Sequence, residues 1–357
     1  MTGVRVERVR DVGLITGESS ANRTGSRFGV YGTDLGILWD NGNGEVLMAF
    51  GDTYGAAWAG NGSGPDHADW RFNVLAGSTT TDLAGGLAWY PVVTRTDGVA
   101  AQVLDGDPAV GHEATVIPTS GIAVDGVNYL HYMSVARWGP PGHWRTNHGG
   151  VAVSHDHGRS WSRPRSARWP NREQRTGLFG RRPHPFQLGA FARQDPYICL
   201  MGTPHGRFGA GSLARVDPHR VLDVDAYHYW TGRNWVPGDP FAATPVLAGP
   251  VAELSLQYNT FCRAWLAMHL DEHRAAVVLR SAPELTGPWS ERTVVVSGNE
   301  YPGLYGGFLH PWAANGPDVY FTLSQWGPYN VRLMQATVTL PLSHVKMPAV
   351  RDHGIRS

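Results

Sequence analysis

The feature that most constrains this chain is a repetition. Groups of three or four short β-runs begin near residues 28, 112, 188, 251 and 305. In four of them a turn followed by tryptophan falls late in the group, at Leu87–Trp89, Gly158–Trp161, Gly232–Trp235 and Gly287–Trp289. A lone four-stranded sheet leaves one face in water, whereas sheets stacked around an axis cover each other. The 45 Gly and 25 Pro supply the many turns that such an arrangement needs. No comparable amphipathic helical stretch is present. The expected fold is all-β, a five-bladed β-propeller. Residues 1–357 are read as a single domain with blades at roughly 27–97, 110–165, 186–240, 250–297 and 303–345, and residues 4–16 as the strand that closes the ring. A β-sandwich is the alternative.

Two alternating runs, GVYGTDLGILWD and EVLMAFGDTY, flank the turn Asn41–Gly44 and read as a hairpin. Each carries one carboxylate among small residues, Asp34 in GTDLG and Asp52 in FGDTY. Aspartate is a poor strand former, and a buried carboxylate needs a partner. Two on adjoining strands, beside glycines that admit a ligand, suggest a paired-carboxylate site. The alternative is that both are strand-end aspartates bonded to backbone N–H groups.

In a propeller, polar residues at the entrances of the inner strands converge on one mouth. That logic adds Glu113, Asn147, Asn259 and Asn330 to the two aspartates. Trp70 with Asn73, Tyr258 with Asn259, and Trp326 with Asn330 join an aromatic face to an amide, the pairing a sugar subsite uses. Arg207, in GTPHGR, is a further candidate at the mouth. Each also has a plainer reading as a turn residue, a core aromatic or a surface arginine.

The formal net charge is zero, which gives no electrostatic case for nucleic acid or an anionic membrane. No apolar run reaches a membrane span, and the first residues lack the apolar core of a signal peptide. Nothing in the sequence calls for an obligate protein partner. The two cysteines, Cys199 and Cys262, lie in separate apolar runs and read as buried thiols. No metal site is expected: HExxH is absent, and His155-Asp156-His157 falls inside SHDHGRSW. That segment resembles the Asp-box, a propeller hairpin turn in which Asp156 binds local backbone. P-loop, Rossmann and G-x-S-x-G signatures are missing, so no cofactor is expected.

The blocks RFGVYGTDLGILWDNGNGEVLMAFGDTYG, DWRFNVL, HEATVIPTSG, SLQYNTFCRAWL and YFTLSQWGPYNVRLM resemble an actinobacterial family first catalogued as domain of unknown function 4185. Its members are grouped as endo-D-arabinanases of glycoside hydrolase family 183, and the similarity runs from about Gly13 to Leu340 in order. The resemblance implies a five-bladed propeller that cleaves internal α-D-arabinofuranosyl bonds of arabinogalactan and lipoarabinomannan. It implies Asp34 and Asp52 as the reacting acids and a cell-envelope or extracellular setting. Of the two, Asp52 is expected to be the proton donor, since Ala49, Phe50 and Tyr54 make its setting more apolar. Glu113 is the reserve acid. The competing readings are a non-catalytic carbohydrate-binding propeller and a sialidase; the second fits poorly with one Asp-box.

Overall fold

A computed structural model describes residues 3–65, 67–176 and 180–340. The architecture is the five-bladed propeller that the repetition predicts. Blade one consists of Leu35–Asp40, Val46–Phe50, Val74–Ser78 and Tyr90–Pro91, from axis to rim. Blade two consists of Thr115–Val124, Val127–Trp138, Trp144–Ser154 and Arg168–Pro170. Blade three starts with Leu188–Gln194, Tyr197–Thr203 and Gly211–Val216, and three short strands widen its outer edge. Blade four holds Ala252–Asn259, Ala264–Asp271, Ala276–Ala282 and Thr293–Ser297. Blade five holds Leu304–Leu309, Asp318–Gln325 and Asn330–Thr339, and its outermost strand is Arg5–Leu14 from the start of the chain. Pairing first and last segments in one sheet closes the ring by hydrogen bonds. Residues 341–345, assigned to the last blade from sequence, lie outside the described residues.

The inner and middle strands of blade one are buried along nearly their whole length, so the blade has two faces to bury, and neighbouring blades cover them. Leu38, Met48 and Val74 of blade one pack with Val331 and Leu333 of blade five. Val151 and Val153 of blade two pack with Phe191, Leu200 and Ala214 of blade three. Met201 and Leu213 of blade three meet Trp265 and Ala267 of blade four. Four inner strands carry a register shift against their neighbour, at Leu35/Ile37, Pro118/Ser120, Ala252/Ser255 and Gly306/Phe308. A bulge turns the backbone out of its own ladder, and hydroxyls of adjoining blades satisfy inner-strand N–H groups. Leu35 N donates to Ser324 Oγ at 2.9 Å, and Leu309 N to Ser255 Oγ at 2.9 Å.

Three local expectations changed. Blade one, placed from about residue 27, is preceded by a five-residue helix that runs into that range, Thr24–Phe28, ended by Gly29 at φ +66°. The first hairpin strand begins only at Leu35, because Leu35 and Gly36 take φ +68° and +77° and break the extended run. Beyond the 110–165 assigned to blade two, Arg168–Pro170 completes that blade and Gln174–Thr176 pairs with Gly180–Arg182. The two cysteines are free and buried.

Candidate active site

In an antiparallel blade the start of the first strand, the end of the second and the start of the third share one rim. On that rim the inner strands begin beside Asp34, Thr115, Gln187, Glu253 and Tyr305. The hairpin of blade one continues beyond its ladder there: Tyr54 N donates to Gly32 O at 2.8 Å, and the hydroxyls of Thr33 and Thr53 are 2.7 Å apart. This rail holds the GTDLG and FGDTY segments side by side. Gly51 is what lets them close up, since a Cβ at that position would collide with Asp34 Oδ1. Beneath them Arg71 is fully buried and donates to the carbonyls of Asp69, Ala100 and Gly29.

Asp34 is half-buried. Its Oδ2 accepts from the Tyr305 hydroxyl at 2.9 Å, while Oδ1 is sealed from solvent without a partner among the described residues. Burial, with the charge of Asp52 adding to it, pushes this carboxyl up to about 7 against the pull of Tyr305 and Tyr329. Asp52 is buried, and its Oδ1 accepts from Trp70 Nε1 at 2.9 Å and Thr115 Oγ1 at 2.7 Å. Burial raises it to about 6, and those two donors hold it below Asp34. The apolar neighbours of Asp52 suggested it as the proton donor, and strand residues alone cannot reveal that Trp70 and Thr115 stabilise its charge.

Aromatic rings line one side of the mouth. Trp326 is half-exposed and meets Tyr329 edge-on at 5.6 Å, and Tyr329 also contacts Tyr54 and Trp58. Trp70 packs on Phe72 at 5.0 Å. Trp326 is thus free to face a ligand, whereas Trp70 spends its N–H on Asp52.

Several other candidates are committed elsewhere. Asn73 is fully buried, donates to Leu104 O and Val116 O, and accepts from the backbone of residues 103 and 104. Asn330 joins Thr16 Oγ1 to the carbonyls of Tyr31 and Pro328. Asn147 donates to His112 O and Ser134 Oγ. Glu113 binds Arg163 through both oxygens, at 2.6 and 3.1 Å. Despite burial, Arg163 and Ser134 hold that carboxyl below its usual range, so the reserve acid is an ionised structural anchor. Tyr258 and Asn259 are placed at the opposite rim, because they end an inner strand rather than begin one. There Asn259 donates to Gly316 O and accepts from Cys262 N. Arg207 does reach the mouth, where it pairs with Glu253 at 2.9 Å and lies over the Tyr305 ring.

Sequence reasoning missed Tyr305, Tyr329, Thr115 and Glu253. Their roles depend on contacts distant in sequence: Thr115 meets Asp52 because blade two packs on blade one, and Tyr305 meets Asp34 because ring closure brings blade five against blade one. Among the described residues, no group of three or more His, Cys, Asp or Glu is placed to hold a metal ion, and no helix is long and apolar enough to cross a membrane.

Comparison with known proteins places this architecture. A Bacteroides ovatus protein of known structure is similar to the chain with a TM-score of 0.58 at 11% identity, covering 87% of this chain and 86% of that one. Zg3597, a family 117 glycoside hydrolase from Zobellia galactanivorans, is similar with a TM-score of 0.52 at 13% identity, covering 94% and 90%. Notoamide biosynthesis cluster protein J from Aspergillus sp. (strain MF297-2) is 30% identical over 322 residues, covering 85% of this chain and 82% of the relative. The profile described as domain of unknown function DUF4185 matches residues 19–335. With that match spanning all five blades, the chain belongs to the DUF4185 family.

Proposed function

We propose that the protein is a glycoside hydrolase whose reaction is carried by Asp34 and Asp52, and that its substrate is an arabinan with internal α-D-arabinofuranosyl bonds. The observation that carries the reading is the carboxylate pair itself: two acids on one rail at the mouth, both raised into the neutral range by burial. Pushing two pKa values apart separates an acid from a base. At neutral pH Asp34 keeps a substantial protonated fraction and donates to the leaving glycosidic oxygen as the C1–O bond breaks. Asp52, more fully ionised, either attacks C1 or takes a proton from the attacking water. Trp326 offers a face for sugar C–H groups. The likeness in fold to a glycoside hydrolase and the family resemblance support the choice of chemistry; the arabinan substrate rests on the resemblance.

The direct test is digestion of purified arabinogalactan by wild type, Asp34→Asn and Asp52→Asn, with products resolved by chromatography. Oligo-arabinosides from wild type alone would support the reading. A folded wild type that releases none would sink the arabinan assignment.

A second reading comes from the Aspergillus relative, whose name sets it in a biosynthesis cluster. Under it, the same rim would act on a small molecule. Inactivity on arabinan, with cleavage of a small aryl arabinofuranoside that needs both aspartates, would favour this reading.

A further inference from the structure

Outside the aspartate pair, one residue combines two costly features. Glu253, the second residue of the inner strand of blade four, takes φ +43°, a left-handed conformation that residues other than glycine rarely adopt. Its carboxylate is buried, and only Oε1 is paired, with Arg207 at 2.9 Å; Oε2 has no partner among the described residues. A half-satisfied buried charge on a strained backbone is retained against stability, and such coincidences mark functional sites.

The contacts lead from this residue to the reacting centre. The Arg207 guanidinium lies 5.1 Å from the centroid of the Tyr305 ring. The Tyr305 hydroxyl in turn donates to Asp34 Oδ2. Blade four, the loop of blade three and blade five thus form a relay, Glu253–Arg207–Tyr305–Asp34. We infer that Glu253 is a positioning residue for the reaction, one that holds Arg207 over Tyr305 and offsets its charge, and that thereby sets the proton carried by Asp34. This rests on the reading of Asp34 as the proton donor.

The charged and titratable groups that face Asp34 set the signs. Asp52 acts from its own blade, Tyr305 and Tyr329 from blade five, and Glu253 from blade four, where its negative charge also favours the protonated form. Tyr54 stands behind Tyr329, and Glu272 stands 3.5 Å from Arg207. Blade two contributes the neutral Thr115, on Asp52. Removing the charge of Glu253 leaves Arg207 less balanced, so Asp34 ionises more readily. Removing Arg207 exposes Asp34 to Glu253 and Glu272, so it holds its proton to higher pH. A merely structural role predicts no such opposition.

The test uses the full chain with its aspartates 13C-labelled at the side-chain carboxyl, the Asp34 signal being assigned by its loss in Asp34→Asn. In Glu253→Gln the Asp34 titration midpoint is expected to fall by about 1 pH unit, and in Arg207→Gln to rise by about 1. The double variant should return close to wild type. Should Glu253→Gln not fold, Glu253→Asn replaces it, because Asn tolerates the left-handed backbone. A midpoint unmoved in either single variant, or moved in the same direction in both, overturns the relay. The readout needs no substrate, so it separates from the arabinan digest. Opposed shifts without digestion keep the relay and remove the arabinanase reading; digestion without shifts removes the relay alone.

Discussion

The two rims of this propeller treat aspartate in opposite ways. On the mouth side, Asp34 has one carboxylate oxygen without a partner among the described residues and is raised to about 7. On the far side, Asp156 sits in the Asp-box turn, where Ser160 N and Ser154 Oγ donate to Oδ1 at 2.8 Å and Ser160 Oγ donates to Oδ2 at 2.6 Å. Burial opposes its charge, and those donors together outweigh it and bring it down to about 2. Gly158 takes φ +89° and Trp161 closes the turn with a bond from Nε1 to Gly158 O. The far turn uses its carboxylate to hold the chain together, while the mouth leaves Asp34 short of a partner among the described residues. An aspartate whose bonding is complete has no capacity left for a substrate, so the difference separates scaffold from site.

The comparison can be broken most sharply by activity. Asp34→Asn and Asp52→Asn should each lower kcat on arabinan by roughly 10²–10⁴-fold, the usual contribution of a general acid or base, while Asp156→Ala in protein that remains folded leaves kcat unchanged. Equal losses from both rims would erase the distinction.

Stability should move the other way, and pH gives the sign. The folded pKa of Asp34 is raised, so its protonated form favours folding below about 4, and that benefit is lost as pH rises through about 7. Asp34→Asn removes the loss. We expect it to stabilise the protein at pH 8 by on the order of 1–3 kcal/mol, shrinking toward zero at pH 4, in urea melts at both values. Asp156 has a depressed pKa, so its stabilisation is present above about 4 and fades as pH falls through about 2. Asp156→Ala should cost about 1–2 kcal/mol at pH 7, through the loss of its turn bonds.

The smallest effect concerns the aromatics. Trp326→Ala should raise KM by roughly 3–10-fold with little change in kcat, whereas Tyr258→Ala, on the far rim, leaves both constants in place. Steady-state kinetics on a soluble oligo-arabinoside would show an error in the rim assignment as a reversal of these two.

Much of this molecule was legible in the chain. The hairpin was readable because its turn and alternation are local: Asp40 pairs with Val46 across Asn41–Glu45, and Asn41 N donates to Glu45 O at 3.0 Å. The Asp-box was readable because all its bonds lie within 154–161. Tyr258 and Asn259 misled for a related reason. An aromatic beside an amide looks the same at either end of a strand, and only the strand's direction within the blade assigns it to a rim.

Local chemistry therefore determined the repeat, the hairpin, the structural turn and the two motif aspartates, since each depends on residues a few positions apart. Ring closure decided what those aspartates are. Thr115 lies 63 residues from Asp52, and Tyr305 lies 271 from Asp34. A carboxylate's proton affinity depends on which groups surround it in space and how far water is excluded. Neither is fixed until the second and fifth blades have packed against the first.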